Sequence, residues 1–199
     1  MTAAIPMTVL DPRTALVLID FQHGLLALAG EQLLAGPLAR AAELAAAFRA
    51  QQQPVVLVRV SFAADFADAP RNRTSVSRPA ARPPANWTEP LPELDQQPSD
   101  LVVTKHQPGA FYGTDLDLQL RRRGVTGIVL GGVATSLGVE STGRAGYDLG
   151  YNLTFAADAM ADFSPRAHQH CLEVTFPQFG EVDTAGAIVA ALGRAPQPA

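Results

Sequence analysis

"TGIVLGGVATSLGVESTGRAGYDLGY" runs from Thr126 to Tyr151. Its first seven residues are mostly apolar and end in a glycine pair, which reads as a buried strand entering a tight turn. The residues from Ser136 to Leu149 read as a helix, with Thr135 or Ser136 placed to cap it. Strand, turn and helix in that order form the repeating unit of a parallel α/β sheet. A turn of this kind is a common mount for a nucleophile. Gly138 occupies the point that would carry one and has no side chain.

The same unit recurs on both sides. Apolar strand-like runs cover Thr14–Asp20 (TALVLID), Pro54–Val60 (PVVLVRV), Asp100–Lys105 (DLVVTK) and Tyr151–Asp158 (YNLTFAAD), with a short last one at Glu181–Thr184. Helical spacing covers Glu31–Gln51, where Pro37 marks a start or a kink. Further helices fall at Thr114–Arg123, Ser164–Val174 and Thr184–Leu192. Near-continuous apolar strands between helices predict a mostly parallel sheet covered on both faces. The expectation is a single three-layer α/β/α domain over residues 1–199, Rossmann-like in its winding. Ala63–Asp100 departs from the pattern. It is rich in proline and holds the only tryptophan, Trp87. A long irregular stretch inside a compact domain suggests a lid, a binding loop or an oligomer arm.

Composition narrows the function classes. The chain has 199 residues, 47% hydrophobic and 17% charged, which is globular rather than disordered. A net charge of −4 argues against a nucleic-acid partner. No apolar run approaches the ~20 residues that span a membrane, and no secretory signal opens the chain, so the expected location is cytoplasmic. One cysteine, Cys171, allows no intrachain disulfide and is expected to be a buried structural residue. Of the 15 basic residues only Lys105 is lysine. In an arginine-favouring composition, a lysine persists best where a compact, proton-exchanging cation is needed.

In parallel α/β sheets, ligands bind beyond the carboxyl ends of the strands. Asp20 ends the first strand, Lys105 the third, and the Gly131–Gly138 turn follows the fourth, so all three meet at one rim. A buried carboxylate needs a partner, and Lys105 supplies the charge. The first N–H groups of the helix after the turn, that of Gly138 included, are expected to face an anion or a developing oxyanion.

The segments "ALVLIDFQ", "VTKHQPGAFYGTDL" and "GGVATSLGVESTGRAGYDLGY", in this order, resemble the isochorismatase-like cysteine-hydrolase superfamily, and the resemblance spans nearly the whole chain. It implies an oligomeric three-layer α/β/α hydrolase with an Asp–Lys–Cys triad. By motif, Asp20 and Lys105 take the first two places and Gly138 takes the cysteine's. It also implies a cis peptide at Val133–Ala134, in a turn where Val133, Ala134, Thr135 and Gly138 surround the reacting group. Without a thiolate no covalent acyl intermediate forms there. True isochorismatases also carry a small residue at this point and hydrolyse a vinyl ether by acid catalysis from the Asp. Their turn reads "Y-A-H" before the glycine, whereas this chain reads "V-A-T-S". A bacterial subgroup with the form "T-[NS]-[LI]-G-V-E-S-T" is the nearer likeness.

The metal-binding Asp/His/His pattern of the nicotinamidase branch has no counterpart after the second strand, where "VRVSFAADF" stands, so no metal and no cofactor are expected. Phe21, Gln22, Trp87, Phe111 and Tyr112 are the candidate pocket lining. His23, His106, His168 and His170 are expected to pack or face solvent. The expected function is hydrolysis of a small molecule by water, with Asp20 and Lys105 as the acid–base pair in a homodimer or homotetramer. The alternatives are a catalytically silent binder of a small ligand or protein, or an amidase using Ser136 or Thr135.

Overall fold

A computed structural model of the chain describes residues 9–75 and 84–194. Its centre is a six-stranded sheet: β1 (Thr14–Ile19), β2 (Val55–Val60), β3 (Leu101–Lys105), β4 (Gly127–Val133), β5 (Asn152–Ala161) and β6 (Glu181–Asp183). The strand order is β3-β2-β1-β4-β5-β6, and all five pairings are parallel. The order runs outward in both directions from β1 and β4. The winding therefore reverses between them, and that is where a parallel sheet opens a crevice beyond its carboxyl ends.

The helices are α1 (His23–Ala29), α2 (Glu31–Ala50), α3 (Leu116–Arg122), α4 (Glu140–Asp148), α5 (Pro165–His170) and α6 (Ala185–Leu192). Alternate strand residues feed two cores, as the period of a strand requires. Leu16 and Leu18 of β1 and Leu57 of β2 pack with Leu34, Leu38, Leu44 and Phe48 of α2 and Ile188 of α6. Ala15, Val17 and Ile19 face the other way, toward Leu116 and Leu120 of α3 and the Phe155–Phe176 stack. These two cores on one sheet are the expected three layers.

Differences from the sequence expectation are local. Helix α1 is unforeseen, and Gly30, at φ +82°, separates it from α2. Pro37 lies inside α2, which continues through it. The helices expected at Ser136–Leu149 and Ser164–Val174 each contain a wider π-helical turn, Thr135–Val139 before α4 and Cys171–Thr175 after α5. Strand β5 runs on to Ala161, because its register against β4 jumps from Leu130↔Phe155 to Gly132↔Met160.

The second half of the Ala63–Asp100 stretch is fastened down. Leu91 and Leu94 are core residues. The N–H groups of His23, Gly24 and Leu91 donate to Glu89 O, Trp87 O and Phe21 O. This part of the loop lies along the chain that follows Asp20. Residues 76–83 of the stretch lie outside the described residues.

Candidate active site

The rim begins with a sharp turn. Asp20 follows β1 with φ +56°, a left-handed conformation that Asp and Asn adopt at less cost than most residues. Its N–H still donates to Val58 O, which ties it to β2, while Gln22 N–H donates back to Asp20 O. The Asp20 side chain is thus held over the sheet's carboxyl end.

Lys105, the last residue of β3, reaches across β2 to meet it. Lys105 Nζ donates to Asp20 Oδ2 at 2.7 Å and to Gln107 O at 3.2 Å. The lysine is 2% exposed and the aspartate 6%. Asp20 Oδ1 is buried and accepts no hydrogen bond. Burial pushes the Asp20 carboxyl up to about 6, against the opposing pull of the Lys105 charge. The pair therefore offers one oxygen held by the lysine and one free to carry a proton near neutrality.

The turn after β4 stands beside this pair. Gly132 has φ +134°, and a Cβ there would lie 2.3 Å from Ile19 O, so only glycine lets β4 pass this close to β1. The Val133–Ala134 peptide is cis. A Cβ built on Gly138 would stand 3.6 Å from Asp20 Oδ2, which puts this position next to the acid. The same Cβ would lie 2.8 Å from Ile19 Cγ2 and 3.2 Å from Val133 O. Neighbouring atoms close the space that a side chain at 138 would take.

Three amides of the turn, those of Ser136, Leu137 and Val139, are engaged within the protein. Leu137 and Val139 N–H both donate to Ala134 O, at 3.1 and 3.2 Å. Ser136 N–H and its Oγ both donate to Asp162 Oδ2 at 2.7 Å, and Ser164 N–H donates to Asp162 Oδ1. The protein's own carboxylate occupies the place where an outside anion was expected. Neither Thr135 nor Ser136 caps the helix, because the chain enters it through the wider turn. Thr135 Oγ1 donates to Ala161 O at 3.1 Å and lies 2.8 Å from His168 Nδ1. Burial holds His168 below its ordinary value.

Asp162 is the residue that the sequence reading missed. It ends β5 as Asp20 ends β1, an acid closing an apolar strand, and the same signal could have found it. Glu140 also has a structural partner set. It accepts from Arg144 at 2.8 Å and from the buried Cys171 thiol at 3.3 Å. Burial and Glu140 push that thiol up to about 12, which keeps it protonated and unreactive.

The candidate pocket residues separate. Gln22 is buried with both ends of its amide engaged: Nε2 donates to Val60 O and Trp87 O, and Oε1 accepts from Val60 N–H. It clasps the loop to β2, and both of its N–H donors are spent on backbone carbonyls. Phe21 is buried in the core on the α2 side. Phe111 is a core residue as well, stacked on Tyr151 at 5.8 Å and packed against α4 at Gly146, which removes it from the pocket. Tyr112 is 84% exposed. Trp87 does join other rings at the rim. It lies 5.9 Å from Phe62 and 6.3 Å from Phe66, and Phe62 in turn lies 6.2 Å from His106. Among the described residues, no group of three or more His, Cys, Asp or Glu side chains is placed to hold a metal ion. No helix among them is long and apolar enough to cross a membrane.

Comparison with known proteins identifies the family and the fold. YecD, an uncharacterised isochorismatase family protein of Escherichia coli O157:H7, is 45% identical over 180 residues, covering 90% of this chain and 96% of YecD. A ureidoacrylate amidohydrolase RutB of Methylorubrum extorquens is 33% identical over 204 aligned positions, covering 90% of this chain and 82% of RutB. An isochorismatase family protein from Burkholderia thailandensis superimposes with a TM-score of 0.85 at 42% identity, covering 96% of this chain and all of that one. The isochorismatase domain model matches residues 14–186, from the first residue of β1 into α6. With that span, that fold and an acid–lysine pair at the sheet's carboxyl rim, the chain belongs to the isochorismatase family.

Proposed function

We propose that the chain hydrolyses a small molecule with water directly, using Asp20 as the acid and forming no covalent intermediate. The observation that carries this reading is the state of Asp20. Its Oδ2 is held by Lys105, its Oδ1 is free of partners, and it titrates near 6 beside a position with no nucleophile. A carboxylic acid of that strength is partly protonated near neutrality and can act as a general acid. The proton sits on Oδ1, since Oδ2 faces the ammonium. After transfer, Lys105 stabilises the carboxylate that remains.

Acid-labile bonds suit this equipment best. For a vinyl ether, Asp20 protonates the terminal carbon and water adds to the resulting oxocarbenium ion. The hemiketal then collapses to a carbonyl compound and an alcohol, and Asp20 regains a proton. RutB proteins are named as amidohydrolases, so ureido compounds and simple amides belong on the same substrate panel.

The test is turnover by the purified protein on vinyl ethers, isochorismate among them, and on amides, with Asp20→Asn alongside. Activity that falls as pH rises through about 6 and vanishes in Asp20→Asn supports the mechanism. Turnover untouched by Asp20→Asn overturns it.

A second reading rests on the closed turn. Ile19 crowds position 138 and Asp162 occupies the Ser136 amide, which also suits a family member that binds a small molecule without turning it over. That reading expects a ligand that raises the melting temperature and no turnover on any part of the panel.

A further inference from the structure

We infer that the cleft at the amino-terminal end of β2 is a binding site for a phosphate group, separate from the Asp20 rim. The cleft has a volume of about 370 Å³ and lies among the start of β2, the end of α2, the approach to β3 and the residues Arg13 and Arg123. Val55 lines it, whereas Val60, at the other end of the same strand, hydrogen-bonds Gln22 beside Asp20. The length of β2 sets the two places about 17 Å apart. The inference therefore does not depend on the proposed hydrolysis.

Three arginines line the cleft. Arg49 is neutralised by Asp100, with Nε to Oδ1 at 3.1 Å and Nη2 to Oδ2 at 2.7 Å. Arg13 and Arg123 have no carboxylate partner among the described residues. Arg13 Nε makes one long bond, 3.4 Å, to Arg123 O. Arg123 Nη1 donates to Gln119 O and Oε1. The remaining guanidinium donors are available, and the cleft is positive on a chain whose net charge is −4. Guanidinium groups bind oxyanions through paired, charge-assisted bonds.

A second observation at the same cleft specifies more than charge. Gln53 lines it and is 8% exposed. Its Nε2 donates to Pro12 O at 2.9 Å, which fixes the other amide atom as oxygen. That oxygen, Oε1, is buried and has no hydrogen-bond donor. A buried acceptor without a donor is costly, so its ligand must bring an O–H or N–H. A phosphate near pH 6 offers anionic oxygens to the arginines and a P–OH to Gln53. Sulfate offers only the former. The carbonyls at the end of α2 do not oppose this strongly, because the N–H groups of Gln51, Gln52 and Gln53 turn back onto Ala47, Phe48 and Arg49.

Free phosphate and a phosphate monoester share this chemistry. The test is titration of the wild-type protein at about pH 6 with inorganic phosphate, sulfate and glycerol 3-phosphate, followed by NMR shifts of backbone amides. Inorganic phosphate should saturate one site, with sulfate at least about fivefold weaker. Arg13→Ala with Arg123→Ala should weaken phosphate by about tenfold or more. Gln53→Leu should bring phosphate and sulfate to parity. If Gln53→Leu fails to fold, the arginine pair and the wild-type phosphate-to-sulfate ratio still decide. Tighter binding of glycerol 3-phosphate than of inorganic phosphate identifies a monoester ligand, and weaker binding identifies free phosphate. No saturation by phosphate, an unchanged affinity in the arginine variant, or sulfate binding as tightly as phosphate overturns the site.

Discussion

The two ends of the sheet differ in how they hold charge, although each contains a close ion pair, Lys105–Asp20 at one and Arg49–Asp100 at the other. At the carboxyl end, Asp20, Lys105 and Asp162 are almost fully buried, and each is held by a specific partner. At the amino end, charged side chains line two open clefts of about 350 and 370 Å³. One is bordered by Asp11 and Glu181, the other by Arg13, Arg49 and Arg123. The lesson is that room and reactivity need not coincide. Desolvation of a paired acid shifts its proton affinity, as at Asp20. In this fold the buried, paired charges lie at the carboxyl rim and the roomier clefts at the amino end.

The sharpest way to break this contrast is to remove the lysine. Lys105→Ala leaves Asp20 buried without its counter-charge and should cost about 3–5 kcal/mol in urea unfolding at pH 7. The loss should shrink below about pH 6, where Asp20 takes up a proton. A loss under about 1 kcal/mol, the scale of an exposed pair, means that the rim is wetter than its burial indicates.

The second effect is the pH dependence of the intact protein. Asp20 ionises near 6 when folded and near 3.8 when unfolded, so folding favours its protonated form between those values. Its contribution makes stability fall as pH rises from about 4 to about 6, by about 3 kcal/mol, and stay level above that. Comparison of wild type with Asp20→Asn over that range isolates it, because the asparagine variant lacks this slope.

Third, Asp162→Ala removes the acceptor of two bonds from Ser136 and one from Ser164, and should cost about 2 kcal/mol. Ser136→Ala, which leaves the Ser136 N–H bond intact, should cost about 1 kcal/mol. Equal costs for the two variants would place the importance in the hydroxyl and not in the amide.

The smallest effect belongs to a solvated pair. Arg40 and Glu43 on α2 lie 2.6 Å apart with half-exposed side chains. Arg40→Ala should change stability by less than about 0.5 kcal/mol. A larger change would blur the distinction between buried and solvated charge on which the other three predictions rest.

Much of the fold was legible in the sequence because buried parallel strands are written plainly. Five short apolar runs marked β1 to β5, and the polar EVDT segment stood as a short sixth strand, which the fold contains as β6. Asp20 and Lys105 were legible because a charge that closes such a run must end at the rim. Other features were hidden because they depend on contacts distant in sequence. Gln22 looked like a pocket residue beside the acid, but its partners, Val60 and Trp87, come from two other segments. Phe111 is drawn into the core by Tyr151 and the bare surface at Gly146. The turn before α4 looked like an ordinary capped helix start. Within the wider turn Ser136 is bonded to Asp162, a residue 26 positions away that follows the extra residues of β5. The crowding of position 138 by Ile19 is likewise a contact between residues far apart in sequence, which no local pattern shows.

The position of β1 in the sheet bears on how the molecule comes together. It precedes the other five described strands in the chain, yet it lies inside the sheet, with Thr14 paired to Gly127 and Ile19 to Gly132. One of its edges can be met by β2, the next strand, while the other waits until β2, β3 and the helices between them have been made. Closing so distant a pair is slow, and an unpaired apolar edge invites association with other chains in the meantime. Among the strands, β1 is therefore the one that a chaperone would have most reason to shield, and substitutions that speed the β1–β4 pairing should raise the yield of folded protein without altering the finished site.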